Sequence, residues 1–253
     1  MAKLAALLVM LLTGLGAARA LAADRSCRPM AFEGTGFTVC RYDPGRDELR
    51  LAARGPAGPL DSLAGLRAWL GGDARRAAFA MNAGMYDPAQ APLGLFVEGG
   101  RTVRPLDLGS GEGNFYLKPG GVFWTDPAGA PHIDETGVFA ARSPAAAWAT
   151  QSGPLLVSGG ALHPAISPNG TSLTVRDAVG VKGREAVFVI SDGPVSLGRL
   201  ARFLRDGLGC PDALYLDGHV SSLWAPGLRR QDGRTGLGTF VVVLRKGKAG
   251  RGR

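Results

Sequence analysis

The sequence predicts a single α+β domain with a large mixed, curved β-sheet core and a few flanking helices. Three observations predict it. Many short apolar, β-branched runs are separated by glycine and proline, of which the chain holds 39 and 17. Only two segments carry a helical period, which argues against a repeating strand–helix pattern. No internal repeat or long linker divides the 253 residues. With 45% hydrophobic and 20% charged residues the chain can bury a core, which excludes a disordered protein. The glycines follow no three-residue period, which excludes a collagen-like one.

Taken in order, the chain begins with a leader. Lys3 precedes an apolar run from Leu4 to Leu15, and Ala20-Leu21-Ala22 forms a small-x-small cleavage site. The run falls short of the roughly 20 apolar residues that span a bilayer, so residues 1–22 read as a signal peptide rather than an anchor. The mature chain is then periplasmic or secreted, with no membrane span. In an oxidising compartment Cys27 and Cys40, which flank Gly34 and Gly36, are expected to form a disulfide that pins the first strand. Cys210 is left over; it reads as a small buried hydrophobe, with a thiol nucleophile served by His219 as a rival. No Cys/His cluster has zinc spacing.

One domain is expected over residues 27–245. Phe37–Tyr42 and Glu48–Leu51 flank Asp43-Pro44-Gly45 and read as a hairpin. Further strands are expected at Ala77–Met81, Leu93–Val97, Gly121–Trp124, Leu155–Val157, Ala186–Ile190, Ala213–Leu216 and Thr239–Leu244. Ser62 caps an expected helix, Leu63–Leu70, with Leu63, Leu66 and Leu70 on one face. Ser196 caps a second, Leu197–Leu208, which Gly209 and Pro211 end. Residues 246–253 read as a basic, disordered tail. The net charge of +8 is mostly terminal: removing Lys3, Arg19, Arg245, Lys246, Lys248, Arg251 and Arg253 from 29 basic residues leaves 22 against 21 acidic ones. A phosphate-tracking basic groove, and with it a nucleic-acid partner, is not indicated.

Four polar blocks interrupt the apolar runs. Leu214–Ser222 delivers Asp217 to a strand end, followed by Gly218, His219, Ser221 and Ser222; an ordinary Asp-Gly turn is the alternative. Ala80–Pro88 presents Asn82, Gly84, Tyr86 and Asp87, where a turn held by the Asn side chain is the plain alternative. Gln151–Val157 carries Ser152-Gly153-Pro154. Thr174–Gly180 places Arg176 between apolar neighbours, where a buried guanidinium needs an anion such as Asp177, Asp217 or a substrate phosphate.

In this order the blocks resemble the phosphodiester glycosidase family. Asn82-Ala83-Gly84-Met85-Tyr86 is similar to its Asn-Gly-Gly-Phe-Phe-like block, and Ser152–Leu156 to its Ser-Gly-Pro-x-Leu block. Arg176–Gly180 matches its Arg-x-x-x-Gly block, and Leu216–Ser221 its Leu-Asp-Gly-Gly-x-Ser block. The Gly113–Pro119 stretch is similar to an exported bacterial branch. Three positions depart: Ala83 for glycine, Met85 for an aromatic, and His219 for the second glycine after Asp217.

The resemblance implies an exported hydrolase that cleaves a sugar-1-phosphodiester or related glycan linkage. Asp217 is then the catalytic carboxylate, with Asp192, Asp87 or Glu98 as a second, and His219 as a proton-transfer group or a structural histidine. Asp192 is taken as the partner. Arg176 clamps the phosphate, and Asn82, Gly84, Tyr86, Gly218, Ser221 and Ser222 bind substrate. No cofactor is evident; a divalent cation beside Asp217 is compatible with the sequence, which shows no ligand set for one. The reading from another class is a non-catalytic periplasmic module that binds glycans or sugar phosphates, to which the His219 departure points. Among the tryptophans only Trp224 closely follows a candidate site.

Overall fold

The computed structural model describes residues 26–247; the expected signal peptide (1–22) and tail residues 248–253 lie outside the described residues. Three larger antiparallel sheets, a two-stranded ribbon of Arg54–Gly55 and Gly58–Pro59, and three short α-helices are found among the described residues. The first sheet has seven strands, in the order Cys27–Phe32, Thr35–Tyr42, Glu185–Ser191, Asp177–Lys182, Asp212–Asp217, Leu155–Ser158 and Ala161–Leu162. The second runs Pro131–Glu135, Gly121–Thr125, Trp148–Ser152, Phe96–Glu98 and Arg101–Arg104. The third runs Arg230–Gln231, Leu223–Ala225, Ala77–Asn82, Phe240–Arg245 and Asp47–Ala52.

The central strands of each larger sheet are buried on both faces, and strand alternation decides which side chain goes where. Phe79 and Met81, Phe123, Phe188 and Ile190, and Val241 and Val243 point into one shared core. Their neighbours point outward, under a helix. Val187 and Val189 meet Leu200 and Leu204. Ala80, Val242 and Leu244 meet Leu63, Leu66 and Leu70. Val122 and Trp124 meet Phe139 of the Thr136–Arg142 helix. Two-sided burial explains why the strands read as continuous apolar runs.

Several expectations change. The sheet core is antiparallel in every pairing among the described residues, where mixed strand directions were expected, although many of the paired strands are distant in sequence. The expected hairpin is not one. Asp47 N donates to Asp43 O at 2.8 Å, closing a turn wider than a two-residue hairpin loop. Thr35–Tyr42 then pairs with Glu185–Ser191, and Asp47–Ala52 with Phe240–Arg245. The Leu63–Leu70 helix forms as expected, with Ser62 Oγ accepting from Gly65 N. The second helix is α-helical only over Leu197–Arg202 and continues as a π turn over Phe203–Gly207. That wider turn lets adjacent Phe203 and Leu204 both enter the core, Phe203 stacking on Phe37 at 4.1 Å. The Pro131–Glu135 strand and the Thr136–Arg142 helix carried no clear period. Lys246, first residue of the expected tail, donates through its backbone to Arg46 O and through Nζ to Pro44 O.

Cys27 and Cys40 face each other across the first strand pair, Cα atoms 4.0 Å apart, and are disulfide-bonded. Cys210 is buried beneath the helix that starts at Leu197, and burial pushes its thiol up to about 11. It precedes the Asp212–Asp217 strand whereas His219 follows it, a separation of about 20 Å, which removes the thiol–imidazole reading. Titration of the denatured, unreduced protein from an oxidising compartment should find one thiol; three would contradict the bridge. Opening the bridge, whose cysteines are 13 residues apart, should cost about 3 kcal/mol in stability.

Candidate functional site

Two strands from different sheets end side by side. Asp217 is the last residue of Asp212–Asp217 and Asn82 the last of Ala77–Asn82. Asn82 Nδ2 donates to Asp217 Oδ2 at 2.9 Å, and Asn82 Oδ1 accepts from Ser222 N at 2.8 Å. The Ser222 amide therefore fixes which end of the Asn82 side chain faces the carboxylate. Gly218 N and His219 N both donate to Asp217 Oδ1, at 2.5 and 2.7 Å. Three N–H groups thus hold one carboxylate in one orientation. Glycine is required at 218, since a Cβ there would stand 1.9 Å from Tyr215 Oη.

Beneath this carboxylate lies a second one. Asp177 is fully buried, and its Oδ1 accepts from Asp217 N at 2.9 Å. Burial first, and then the charge on Asp217, push the Asp177 carboxyl well above the ordinary carboxylate range. Its Oδ2 has no hydrogen-bond partner. Asp177 is therefore the member of the pair whose charged form is disfavoured.

Arg176 immediately precedes the Asp177–Lys182 strand, and it lines the cavity whereas Asp177 does not. Arg176 is buried and bonded to neutral oxygens: Nε to Val195 O at 2.8 Å, Nη1 to Tyr215 Oη at 2.7 Å, and Nη2 to Ser172 O and Oγ. It pairs with neither Asp177 nor Asp217, contrary to two of the three partners expected for it, and forms no ion pair among the described residues. Burial also pushes the Tyr215 hydroxyl up, which keeps it neutral against the guanidinium.

A cavity of about 450 Å³ opens over these groups. Asp217, Gly218, His219, Arg176 and Tyr86 line it, joined by Asn114, Ser172 and Thr174, and His219 is exposed at its rim. Tyr86 Oη donates to Gly236 O at 2.7 Å, and burial followed by the Asp217 charge raises this phenol. The other expected substrate-binding residues stand behind the wall. Asn82 is fully buried and positions Asp217. Ser221 Oγ bonds Val175 O and Asp217 O, and Ser222 Oγ bonds Val220 O. Gly84 is packed against Thr150 and the Gln151 backbone, where a Cβ would stand 2.4 Å from Thr150 Oγ1.

None of the expected second carboxylates lines the cavity. Asp192 accepts from Thr38 Oγ1 and pairs with Arg230 at 3.2 Å. Asp87 caps its own turn through Ala89 N and Ala91 N. Glu98 sits at the far sheet beside Arg101. Asp217 is thus the one carboxylate on the cavity wall among the described residues. Sequence reasoning missed Asp177 as its buried support, and Thr174 and Asn114 as wall residues. The signal for Asp177 was its position one residue after Arg176 in an apolar run. Among the described residues, no three His, Cys, Asp or Glu side chains gather to hold a metal ion.

Two predictions follow from the buried pair and the glycine. A raised carboxyl contributes stability that is present at low pH and lost as pH rises from about 3.8, its ordinary value, through the folded one. Asp177→Asn, isosteric with the neutral acid, should therefore gain melting temperature relative to the parent as pH increases; parallel curves would exclude the assignment. Gly218→Ala should destabilise by about 1–3 kcal/mol in denaturant unfolding, through overpacking against Tyr215.

The family profile described as phosphodiester glycosidase matches residues 75–243, which include every residue on the cavity wall. The uncharacterised protein YigE of Escherichia coli (strain K12) is 38% identical over 171 residues, covering 66% of this chain and 66% of its own length. Among solved structures, the zebrafish N-acetylglucosamine-1-phosphodiester alpha-N-acetylglucosaminidase catalytic domain, auto-inhibited by its pro-peptide, superposes with a TM-score of 0.59 at 13% identity. The match covers 87% of this chain and 82% of that one. A hypothetical protein from Synechocystis gives 0.53 at 17% identity, over 87% and 61% of the two chains. Both likenesses concern the fold. With a family profile that spans two thirds of the sequence and the fold alike, the chain belongs to the phosphodiester glycosidase family, a family of glycosidase-type hydrolases.

Proposed function

We propose that this protein is an exported hydrolase, periplasmic or secreted, that cleaves a sugar-1-phosphodiester between the anomeric carbon and the phosphate oxygen. The observation that carries the reading is the pairing on one cavity wall of a single carboxylate, Asp217, with a buried guanidinium, Arg176, that has no carboxylate partner. A buried cation without a counter-ion is suited to an anionic ligand. An ordinary glycoside leaves as an alkoxide and needs a second carboxyl group to protonate it. A phosphate monoester has a second pKa of about 6, so it leaves as a stable dianion near neutrality and needs a cation more than an acid.

In the proposed reaction water adds to the anomeric carbon and gives a proton to Asp217. The C–O bond breaks, and its electron pair goes to the phosphate oxygen, whose charge Arg176 holds. Asn82, Gly218 N and His219 N keep Asp217 aimed, and the neutral Asp177 keeps a second charge from competing with it. His219, at the rim, accepts the proton from Asp217 and passes it to solvent.

The test is hydrolysis of methyl esters of several sugar-1-phosphates, followed by release of reducing sugar. Asp217→Asn should fold as the parent does and lose on the order of 10³-fold or more in turnover, the scale of removing a reacting group. Arg176→Lys keeps charge but loses the fork, and should weaken phosphodiesters more than neutral nitrophenyl glycosides. Binding without turnover across the sugars would instead support the glycan-binding module, and full activity in Asp217→Asn would overturn the catalytic role.

A further inference from the structure

Beside Arg176 on the cavity wall stands a hydroxyl that the fold does not use. Thr174 and Arg176 both line the cavity, while Val175 between them packs against the apolar core. The segment is held at both residues. Val195 N donates to Thr174 O at 2.8 Å, Thr174 N to Val195 O at 3.3 Å, and Ser191 N to Arg176 O at 2.9 Å. The nearby carbonyls are further engaged: Val195 O also accepts from Arg176 Nε, and Ser172 O from Arg176 Nη2. Thr174 Oγ1 is buried and has no hydrogen-bond partner among the described residues. A buried hydroxyl without a partner costs stability, so one on a cavity wall is suited to a ligand.

The neighbouring donors are also unspent. A guanidinium carries five N–H groups, and four bonds engage Arg176: Nε with Val195 O, Nη1 with Tyr215 Oη, and Nη2 with both Ser172 oxygens. One N–H of Nη1 is left. Tyr215 Oη accepts from Nη1, which leaves its own proton to donate. The three groups surround one point on the wall. A Cβ at Gly218 would collide with Tyr215 Oη and stand 3.0 Å from Arg176 Nη1 and 3.1 Å from Thr174 Oγ1. What this cluster can hold is set by its charge. A neutral sugar hydroxyl would leave the buried guanidinium uncompensated, whereas an oxyanion accepts from all three donors and balances it. A phosphodiester offers two non-bridging oxygens that share one negative charge.

We propose that the hydroxyls of Thr174 and Tyr215 donate to the non-bridging phosphate oxygens beside the Arg176 guanidinium, and that Thr174 thereby selects a phosphodiester at the Asp217 cavity. The inference rests on the phosphodiester reading of that cavity, so its test uses a probe that neither turnover nor the choice of sugar affects. Dimethyl phosphate is titrated into the full chain, and its dissociation constant is read from the phosphorus-31 NMR signal. Thr174→Val keeps nearly the same shape without the hydroxyl and should weaken binding about tenfold, the scale of one hydrogen bond to a charged group. Thr174→Ser keeps the hydroxyl and should stay near the parent value. Tyr215→Phe should weaken binding at least as much as Thr174→Val, since it also strips Arg176 of a partner. Without ligand, Thr174→Val should melt no lower than the parent, because a methyl replaces a hydroxyl that the fold leaves unpaired. Equal binding by Thr174→Val and the parent would overturn the assignment, as would no saturable binding to the parent. Lost binding in both Thr174 variants together with lowered melting temperatures would mark a structural threonine and contradict it. Saturable binding that depends on Thr174, with no hydrolysis of any sugar ester, would support the phosphate site and count against the hydrolase reading alone.

Discussion

The hydrogen bond from Asn82 to Asp217 ties the domain's architecture to its chemistry. It links residues 135 positions apart and joins the end of a strand in the third sheet to the end of one in the first. Neither partner could find the other without the shared core. Phe79 and Met81, on the Asn82 strand, pack in the same cluster as Leu214 and Leu216 on the Asp217 strand. The apolar alternation of two strands thereby delivers an amide to a carboxylate. Around that contact the remaining donors are local, from the two residues that follow Asp217.

Charge in this region is sorted between the two sides of one segment. Asp177 and Arg176 are neighbours in sequence, yet one faces the buried side of Asp217 and the other the cavity. Burial and the neighbouring carboxylate push the Asp177 carboxyl up, while Asp217 is held by three N–H donors. Arg176 keeps its charge among neutral oxygens, which orient it without cancelling it. A cavity with one negative and one positive group on its wall suits a substrate with an electrophilic carbon beside an anion.

Much of the fold was legible because strands buried on both faces leave unmistakable apolar runs, and because Ser62 and Ser196 cap helices by ordinary chemistry. Pairing was less legible. The strands on either side of Asp43-Pro44-Gly45 part company because each pairs with a strand distant in sequence, and nothing local records that. Asp217, Arg176, Tyr86 and Gly218 were read as site residues and line the cavity. Asn82, Ser221 and Ser222 were read as binding groups, but they support the wall from behind, since polarity in a sequence does not say which side of a wall a residue is on. Asp192 looked equivalent to Asp177 by residue type. What separates them is the ion pair with Arg230, a contact 38 residues away.

The position of bond cleavage tests the division of labour between Asp217 and Arg176 most directly. Hydrolysis of a sugar-1-phosphodiester in water enriched in oxygen-18, followed by mass spectrometry of both products, reads it in one experiment. Label in the sugar and none in the phosphate monoester is the expected result, because water reaches the carbon beside Asp217 while Arg176 holds the departing phosphate. Label in the phosphate would mean attack at phosphorus, and would contradict the roles assigned to both residues.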